Sequence, residues 1–175
     1  VRSLMHVVTG KRAEAQLDFV YGTDRDNAFE PLDGQQRLTT LMLLLRAFYS
    51  KFSNMQDKNS IATRVTIGKC LWKGDEFGNL HTDVLKIDSQ VATDNDKDEF
   101  LDILRKGEVS DKMKSNYAKN YTFFVNKIAE FLSKYPSFFP YLPNRILKNC
   151  ILLPIEAESQ DTALRIFSTL NNRGL

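Results

Sequence analysis

The chain has 175 residues, which is enough for one good-sized domain or two small lobes. Its composition, 42% hydrophobic and 26% charged with a formal net charge of +2, is that of an ordinary soluble globular protein. Charge alone therefore does not indicate a nucleic-acid binder. Cys70 and Cys150 form no CxxC pair, and His6 and His81 stand alone, so we expect no structural zinc site of the usual spacing.

The sequence shows neither a membrane span nor a signal peptide. Its densest apolar stretch, residues 41–45, is far shorter than the ~20 residues that a spanning helix needs. Two distant thiols favour a reducing cytoplasm, with a single disulfide as the open alternative. The chain begins at Val1 and stops directly after an Asn-Asn-Arg-Gly-Leu run, so we expect a fragment of a longer cytoplasmic protein.

The first predicted elements are two short strands and a long helix. Residues 16–21 alternate and are rich in β-formers, residues 22–27 favour a turn, and residues 28–32 predict a second strand, so the pair is most simply a hairpin. Residues 35 to about 52 have the helical period, with one apolar stripe formed by Leu38, Leu41, Leu45, Phe48 and Phe52. Further leucines widen this stripe, which predicts a central and largely buried helix.

The pattern after the long helix is weaker. Residues 53–60 are polar and predict a linker between two lobes. Residues 65–72 and 83–87 are β-like runs on either side of the turn-rich residues 74–79, which predicts a second hairpin. Residues 93–98 are polar and acidic and predict a loop.

The last part of the chain is mostly helical by its pattern. Residues 98–106 predict a short helix and residues 112–134 a second long one. Residues 150–156 predict a buried strand and residues 161–170 a helix. Gly174 stands where a C-terminal cap would place it.

Polar groups crowd the corner at residues 32–41, where the first hairpin gives way to the long helix. Asp33 as N-cap, with Gln36 three residues later, forms a capping box of the D-x-x-Q kind, and Gly34 supplies a permissive backbone. Capping leaves four neighbouring polar residues unexplained: Gln35, Arg37, Thr39 and Thr40.

A ligand site would explain the same corner. A helix N-terminus offers free N–H groups and a partial positive charge, which suit a phosphate, and Arg37 would add a bidentate contact. Asp33 would hold a hydrated Mg²⁺ ion, and Gln35 or Gln36 would orient a water or a base edge. Capping, a phosphate site and a combination of the two all stay open from these residues alone.

Two segments of the sequence resemble a known family. Residues 33–41, Asp-Gly-Gln-Gln-Arg-Leu-Thr-Thr-Leu, resemble the DGQQR signature of the GmrSD-type restriction endonuclease N-terminal domain, and residues 17–22 and 29–32 resemble the hairpin of that family. Residues 166–175 resemble its F-x-x-L-N-x-R-G-x-x-L segment. The two motifs follow in the expected order, and the resemblance covers nearly the whole chain.

The resemblance implies an α+β fold in two parts. Residues 1–54 would form a ParB/sulfiredoxin-like lobe in which a small sheet carries the DGQQR motif and packs on the long buried helix. Residues 55–175 would form a mostly helical lobe that ends in the second motif.

The resemblance also implies a function, namely an NTP-binding and hydrolysing module that controls DNA cleavage in a modification-dependent, phage-defence restriction system. Matching the motif assigns catalysis to Asp33, Gln36 and Arg37, and an Mg²⁺ ion to Asp33. Nucleotide contacts would come from Gly34, Gln35, Arg37, Thr39, Thr40, Asn171 and Arg173, with Gly174 beside them. The implied partners are the nucleotide, DNA through the full-length protein, a nuclease domain or subunit, and a second copy of the chain.

The sequence departs from the family pattern in two ways. It does not include the Arg-x-Tyr-x-Trp-like segment that usually precedes the hairpin, and it has no HNH-like or PD-(D/E)xK-like cluster. Nuclease activity is therefore not expected from this chain, while a Mg²⁺-dependent nucleoside triphosphatase activity depends on how complete the nucleotide pocket is.

The alternative function is a non-catalytic DNA-binding or protein-interaction module on the same fold. Lysines recur on the second long helix, but Glu130 interrupts them, and a solvated face is favoured over phosphate tracking for Lys112, Lys119, Lys127 and Lys134. Core packing is favoured over base stacking for Tyr117, Tyr121, Phe123, Phe124 and Phe131. A solvated loop is favoured over a calcium site for Asp94, Asp96, Asp98 and Glu99.

Overall fold

The computed structural model describes residues 35–87, 94–139 and 141–150, together with the helical positions Thr162, Arg165, Ser168 and Thr169. Within this part it contains five helices and one two-stranded antiparallel sheet, which confirms the mixed α+β class. In chain order these are α1 Gln35–Phe52, α2 Lys58–Leu71, β1 Trp72–Gly74, β2 Leu80–Leu85, α3 Asp94–Lys106, α4 Asn116–Lys134 and α5 Tyr141–Asn149, with a 3₁₀ turn Pro136–Phe138 before α5.

Three predicted elements lie outside the described residues. They are the two strands of the first hairpin, at residues 16–21 and 28–32 in the predicted ParB-like lobe, and the strand at residues 150–156 apart from Cys150. The predicted helix at residues 161–170 is described at four helical positions. The division into lobes at residues 54 and 55 stays a prediction.

The long helix α1 is the central element of the described core, as its apolar stripe predicts. It packs against α2, α3 and α4. Its buried apolar side chains are Leu38, Leu41, Met42, Leu43, Leu45, Ala47, Phe48 and Phe52. Each large apolar side chain buried in this way contributes about 1.5–3 kcal/mol, so α1 dominates the stability of the fold.

The predicted strand at residues 65–72 is wrong, because most of it belongs to helix α2. The Asp57 carboxylate caps this helix by accepting the Ser60 N–H at 3.0 Å, and buried Ile67 and Leu71 recur at helical spacing. The β-branched residues here made a strand look favourable, but the cap and the packing against α1 outweigh that weak preference. The predicted linker at residues 53–60 shrinks accordingly, since α2 already begins at Lys58.

The second predicted hairpin is confirmed in kind, with β1 and β2 paired antiparallel. Asp75 makes the turn, because its Oδ1 accepts the backbone N–H groups of Phe77 at 2.9 Å and Asn79 at 2.7 Å. Gly78 has a φ of 83°, a backbone conformation that favours glycine. Trp72, at the start of β1, is buried against the helices.

The boundaries of α3 and α4 differ from the prediction. The acidic loop expected at residues 93–98 is wrong, because α3 begins at Asp94, and α4 begins only at Asn116 after its N-cap Ser115. Glu99 joins the two helices by accepting the backbone N–H groups of Lys114 at 3.1 Å and Ser115 at 2.9 Å. Hydrogen bonds from the Ser115 side chain and backbone lower the pKa of this carboxyl.

Helix α5 was not predicted from the sequence, which has prolines at positions 136, 140 and 143. Pro143 lies in the first turn of α5, where a helix has no internal partner for the N–H that proline lacks. Leu147, one turn later, is buried in the core.

A buried arginine joins α1 to the end of α3. Arg46 is 6% exposed; its Nε donates to the Leu104 carbonyl at 2.7 Å and its Nη2 to the Arg105 carbonyl at 3.3 Å. These are last-turn carbonyls of a helix, which have no partner inside the helix and carry partial negative charge. Its guanidinium also lies 5.4 Å from the ring centres of both Tyr49 and Trp72.

A chain of hydrogen bonds extends from Arg46 to α4. The Arg46 Nη1 donates to Ser50 Oγ at 2.7 Å, Ser50 Oγ lies 3.1 Å from the Tyr121 hydroxyl, and that hydroxyl donates to the Gly107 carbonyl at 2.7 Å. Gly107 has a φ of 71°, and a side chain there would collide with Arg46. Burial lowers the pKa of Arg46, but an arginine stays charged at neutral pH. The positive charge of Arg46 is therefore stabilised by the backbone carbonyls at the end of α3 and by the two aromatic rings.

Replacing Arg46 with methionine tests this arrangement. The substitution keeps much of the side-chain volume but leaves the two α3 carbonyls without their donor, so we expect a loss of about 1.5–3 kcal/mol in the free energy of unfolding. Urea denaturation followed by circular dichroism measures it. Arg145→Met, at an exposed position on α5, is the matched control and stays within about 0.5 kcal/mol of the parent protein. Equal stability of the two variants would contradict the proposed role.

Candidate functional site

The first turns of α1 carry the described part of the predicted site. Gln36 and Arg37 are exposed, Thr39 is buried and Thr40 is half-buried. The first turn of this helix contains no acidic residue. The positive end of the helix and the Arg37 guanidinium therefore act together without a carboxylate of that turn opposing them, which suits an anion.

Other predicted site residues lie outside the described part of the chain. These are Asp33, Gly34, Asn171, Arg173 and Gly174, and Gln35 is described by its backbone alone. The capping box, the metal ligand and the approach of the second motif to the first therefore stay predictions.

The two threonines of the motif are hydrogen-bonded to the helix itself. The hydroxyls of Thr39 and Thr40 donate to the Gln36 carbonyl at 3.2 Å and 2.6 Å. In this arrangement their protons are engaged. Thr39 is also buried, so only the half-buried Thr40 could present oxygen lone pairs to a ligand. Such groups accept hydrogen bonds or contact a cation, whereas phosphate oxygens need donors.

Tyr117 of α4 reaches this end of α1 and was not singled out as a site residue from the sequence. Its hydroxyl lies close enough to Thr39 for that residue to lower its pKa, and its ring centre lies 4.9 Å from that of Phe100. Burial raises the pKa of Tyr117, and the charge of Asp96 raises it further, against the effect of the Thr39 hydrogen bond. The phenol is therefore neutral at physiological pH, and it ties the motif helix to α4.

The helical period indicated that Tyr117 would face inward, and it gave no sign of a contact with the motif. That contact arises from the crossing of α1 and α4, which a single sequence does not specify. The same crossing leaves Phe123 54% exposed, so the expectation that this aromatic belongs to the core is wrong. Of the other four aromatics predicted as core, Tyr121 is buried, while Tyr117, Phe124 and Phe131 are half-buried.

The acidic cluster at the start of α3 shows no sign of a metal site. Among the described residues, no group of three or more His, Cys, Asp or Glu side chains is placed to hold a metal ion. Glu99 is instead engaged with the start of α4. The predicted metal ligand Asp33 lies outside the described residues.

The lysines on and before α4 are exposed, in agreement with a solvated face. They are Lys112, Lys119, Lys127 and Lys134. Lys127 is engaged with the interrupting carboxylate, since its Nζ lies 2.6 Å from Glu130 Oε2. Lys112 precedes the helix and so does not extend the row.

Comparison with known protein families decides what the two motifs belong to. Residues 14–175 match the sequence model of the GmrSD restriction endonuclease N-terminal domain. The chain belongs to this family. The match includes the DGQQR segment and the second motif, and it associates the chain with a restriction system that acts on DNA. Comparison with curated proteins and with solved structures gives no match.

Membrane insertion finds no support in the described part of this GmrSD-family domain. None of the helices there is long and apolar enough to span a bilayer. Both cysteines, Cys70 and Cys150, are free thiols and half-buried.

A double-mutant cycle tests the link between the motif and α4. Thr39→Val and Tyr117→Phe each remove one hydroxyl of the pair, and each is expected to cost about 0.5–1.5 kcal/mol of unfolding free energy. If the two hydroxyls interact as the pKa of Tyr117 indicates, the double variant should cost less than the sum of the single variants.

Thr122→Val supplies the control for this cycle. Its hydroxyl donates to the Ala118 carbonyl of its own helix at 2.9 Å, away from Tyr117. Combined with Tyr117→Phe it should give additive losses of stability. An equally additive Thr39–Tyr117 pair would show that the contact carries no coupling energy.

Proposed function

We propose that this GmrSD-family domain binds a nucleoside triphosphate with Mg²⁺ at the N-terminal end of α1, and that binding and hydrolysis there regulate DNA cleavage by the restriction system. The observation that supports this most strongly is the exposed Arg37 in the first turn of a buried helix that has no carboxylate in that turn. The motif around it is the one on which the family resemblance rests.

The phosphates would be held by α1 itself. The first N–H groups of a helix have no partner inside the helix, and the helix dipole adds partial positive charge, so an anion is bound without further residues. Arg37 would add a bidentate contact to a phosphate oxygen pair and would stabilise the charge that develops during phosphoryl transfer. Because α1 is buried along its length, these groups are held on a rigid element.

The remaining motif residues would bind the metal, orient the water and support the first turn of α1. Asp33 would cap α1 and hold the metal through water, and Gln35 or Gln36 would orient the attacking water or a base edge. The Mg²⁺ ion, when bound, neutralises part of the phosphate charge. Thr39 and Thr40 hold the Gln36 carbonyl and so fix the first turn in place. Asn171 and Arg173 would complete the nucleotide contacts from the second motif.

Isothermal titration calorimetry with ATP and with GTP, each in the presence of Mg²⁺, tests the proposal. Arg37→Ala should weaken binding by roughly 10- to 100-fold, because hydrogen bonds to charged groups are worth about 1.5–3 kcal/mol. Arg37→Lys should recover only part of the loss, since lysine keeps the charge without the bidentate fork. Asp33→Ala should remove the dependence on Mg²⁺.

Lys51→Ala is the matched control for these variants. Lys51 is exposed in the last turn of the same helix, at the opposite end from Arg37. Its replacement should leave nucleotide affinity unchanged. If the parent protein gives no binding heat with either nucleotide, the proposal is wrong. If Arg37→Ala binds as tightly as Lys51→Ala, the site lies elsewhere.

A second candidate is a non-catalytic module that binds duplex DNA through the exposed lysines of α4. It is favoured by Lys119 and Lys134, for which no carboxylate is found within ion-pair distance among the described residues. A gel shift without nucleotide would then weaken steeply as salt rises, and Lys119→Glu would reduce both the affinity and the salt dependence. Binding that is indifferent to this substitution would remove α4 as the contact surface.

A further inference from the structure

The described part of the protein has a groove between α1, α4 and α5, with a volume of about 410 Å³. It lies near the C-terminal end of α4, whereas Tyr117 and the motif contact lie near its beginning. Apolar side chains from three helices form most of its lining, among them Leu44, Phe48, Ile128, Phe131, Leu142 and Ile146.

Exposed aromatic side chains extend this apolar surface. Tyr135 lines the groove and is 44% exposed, and its ring contacts those of Phe131 and Phe138 at centre distances of 5.4 Å and 6.4 Å. Phe138 and Tyr141, in the connection to α5 and at its start, are 61% and 64% exposed. Soluble proteins rarely leave such side chains together in water, and a contiguous patch of this kind marks an interaction site.

The charge around the groove is one-sided. Residues 121–150 contain a single carboxylate, Glu130, against the four cations Lys127, Lys134, Arg145 and Lys148, in a chain whose total net charge is only +2. Glu130 is already engaged with Lys127 at 2.6 Å, and the Lys134 ammonium lies 5.6 Å from the ring centre of Tyr135 at the groove. The apolar groove therefore has the Lys134 ammonium at its edge, in a segment of net positive charge.

We propose that this groove docks an amphipathic helix of a partner protein, with an apolar stripe toward Phe131 and Ile146 and acidic residues on its flanks. A helix satisfies its own backbone hydrogen bonds and presents apolar anchors at i, i+3, i+4 and i+7, which is what a groove without polar floor groups accepts. Acidic flanks complement Lys134 at the groove and the net positive charge of residues 121–150, which steers association and fixes orientation.

A single-stranded nucleic acid fits the same groove less well. Aromatics and cations at the rim suit bases and phosphates, but the polar lining is limited to Lys127, Glu130, Lys134 and the Tyr135 hydroxyl. Lys127 and Glu130 are paired with each other, so few groups are left to hydrogen-bond base edges. Burying those edges without partners costs free energy. The apolar lining of the groove therefore favours the apolar side chains of a partner protein over a nucleic acid.

Fluorescence anisotropy with synthetic peptides tests the proposal. The probe is a labelled peptide of roughly 15 residues, about four helical turns, with leucines at i, i+3, i+4 and i+7 and glutamates elsewhere. We expect it to bind at least tenfold more tightly than two controls, one with lysines for glutamates and one with the leucines distributed around the helix. Absence of binding, or equal binding of a control peptide, overturns the proposal.

Two surface variants locate the binding. Lys134→Glu and Phe138→Ser alter exposed residues at the groove and should each weaken the acidic peptide by at least tenfold without changing the thermal unfolding midpoint. Lys119→Glu, an equivalent charge reversal on the same helix but away from the groove, is the matched control and should have little effect. Equal loss in all three variants would show a general charge effect and overturn the proposal.

Competition experiments separate the other occupants. Displacement of the peptide by single-stranded oligo-dT would make the groove a nucleic-acid site. A concentration-dependent dimer that Phe138→Ser abolishes would make it an interface between copies of the chain. Either result overturns the proposal, whereas an acidic helix that binds without being displaced by oligo-dT supports it.

Discussion

Burial of α1 is the constraint on which the described structure depends. The helix contributes more large apolar side chains to the described core than any other element, yet it also buries Arg46, a permanent charge. The charge is tolerated because the end of α3 supplies free carbonyls and Tyr49 and Trp72 supply ring faces. The core therefore fixes α1 relative to α3 and, through Ser50 and Tyr121, relative to α4, so the motif at its N-terminal end is presented on a rigid support.

Much of this arrangement follows from the sequence. The apolar stripe from Leu38 to Phe52 predicted α1 and its burial, and the turn-rich residues 74–79 predicted the second hairpin. The strand expected at residues 65–72 failed because β-branched residues suggested a local preference that the Asp57 cap and packing on α1 override. Helix α5 was not predicted, although a proline in the first turn of a helix, as Pro143 is here, costs no hydrogen bond.

The motif of the candidate site could be predicted from the sequence, but the residues of other helices that surround it could not. Arg37 stood out because capping did not explain it, and its role as a site residue stays a prediction. The contact between Tyr117 and Thr39, and the network around Arg46, depend on how distant helices cross. Arg46, inside a leucine-rich stripe, was the one local sign in the sequence that the core contains a buried charge. The helical period of the apolar residues does not show how such a charge is accommodated.

The two ends of α4 lie at different surfaces of the domain. The contact with the motif lies near Tyr117, and the basic apolar groove lies near Tyr135. The function proposed for the domain depends on nucleotide binding at the N-terminal end of α1, where the motif lies. Hydrogen–deuterium exchange with and without ATP and Mg²⁺ tests it most directly. If nucleotide binds there, amide exchange should become slower in the peptide that covers residues 32–41, and also in the segment around residues 171–174. Unchanged exchange there at saturating nucleotide, or protection confined to other parts of the chain, would contradict it.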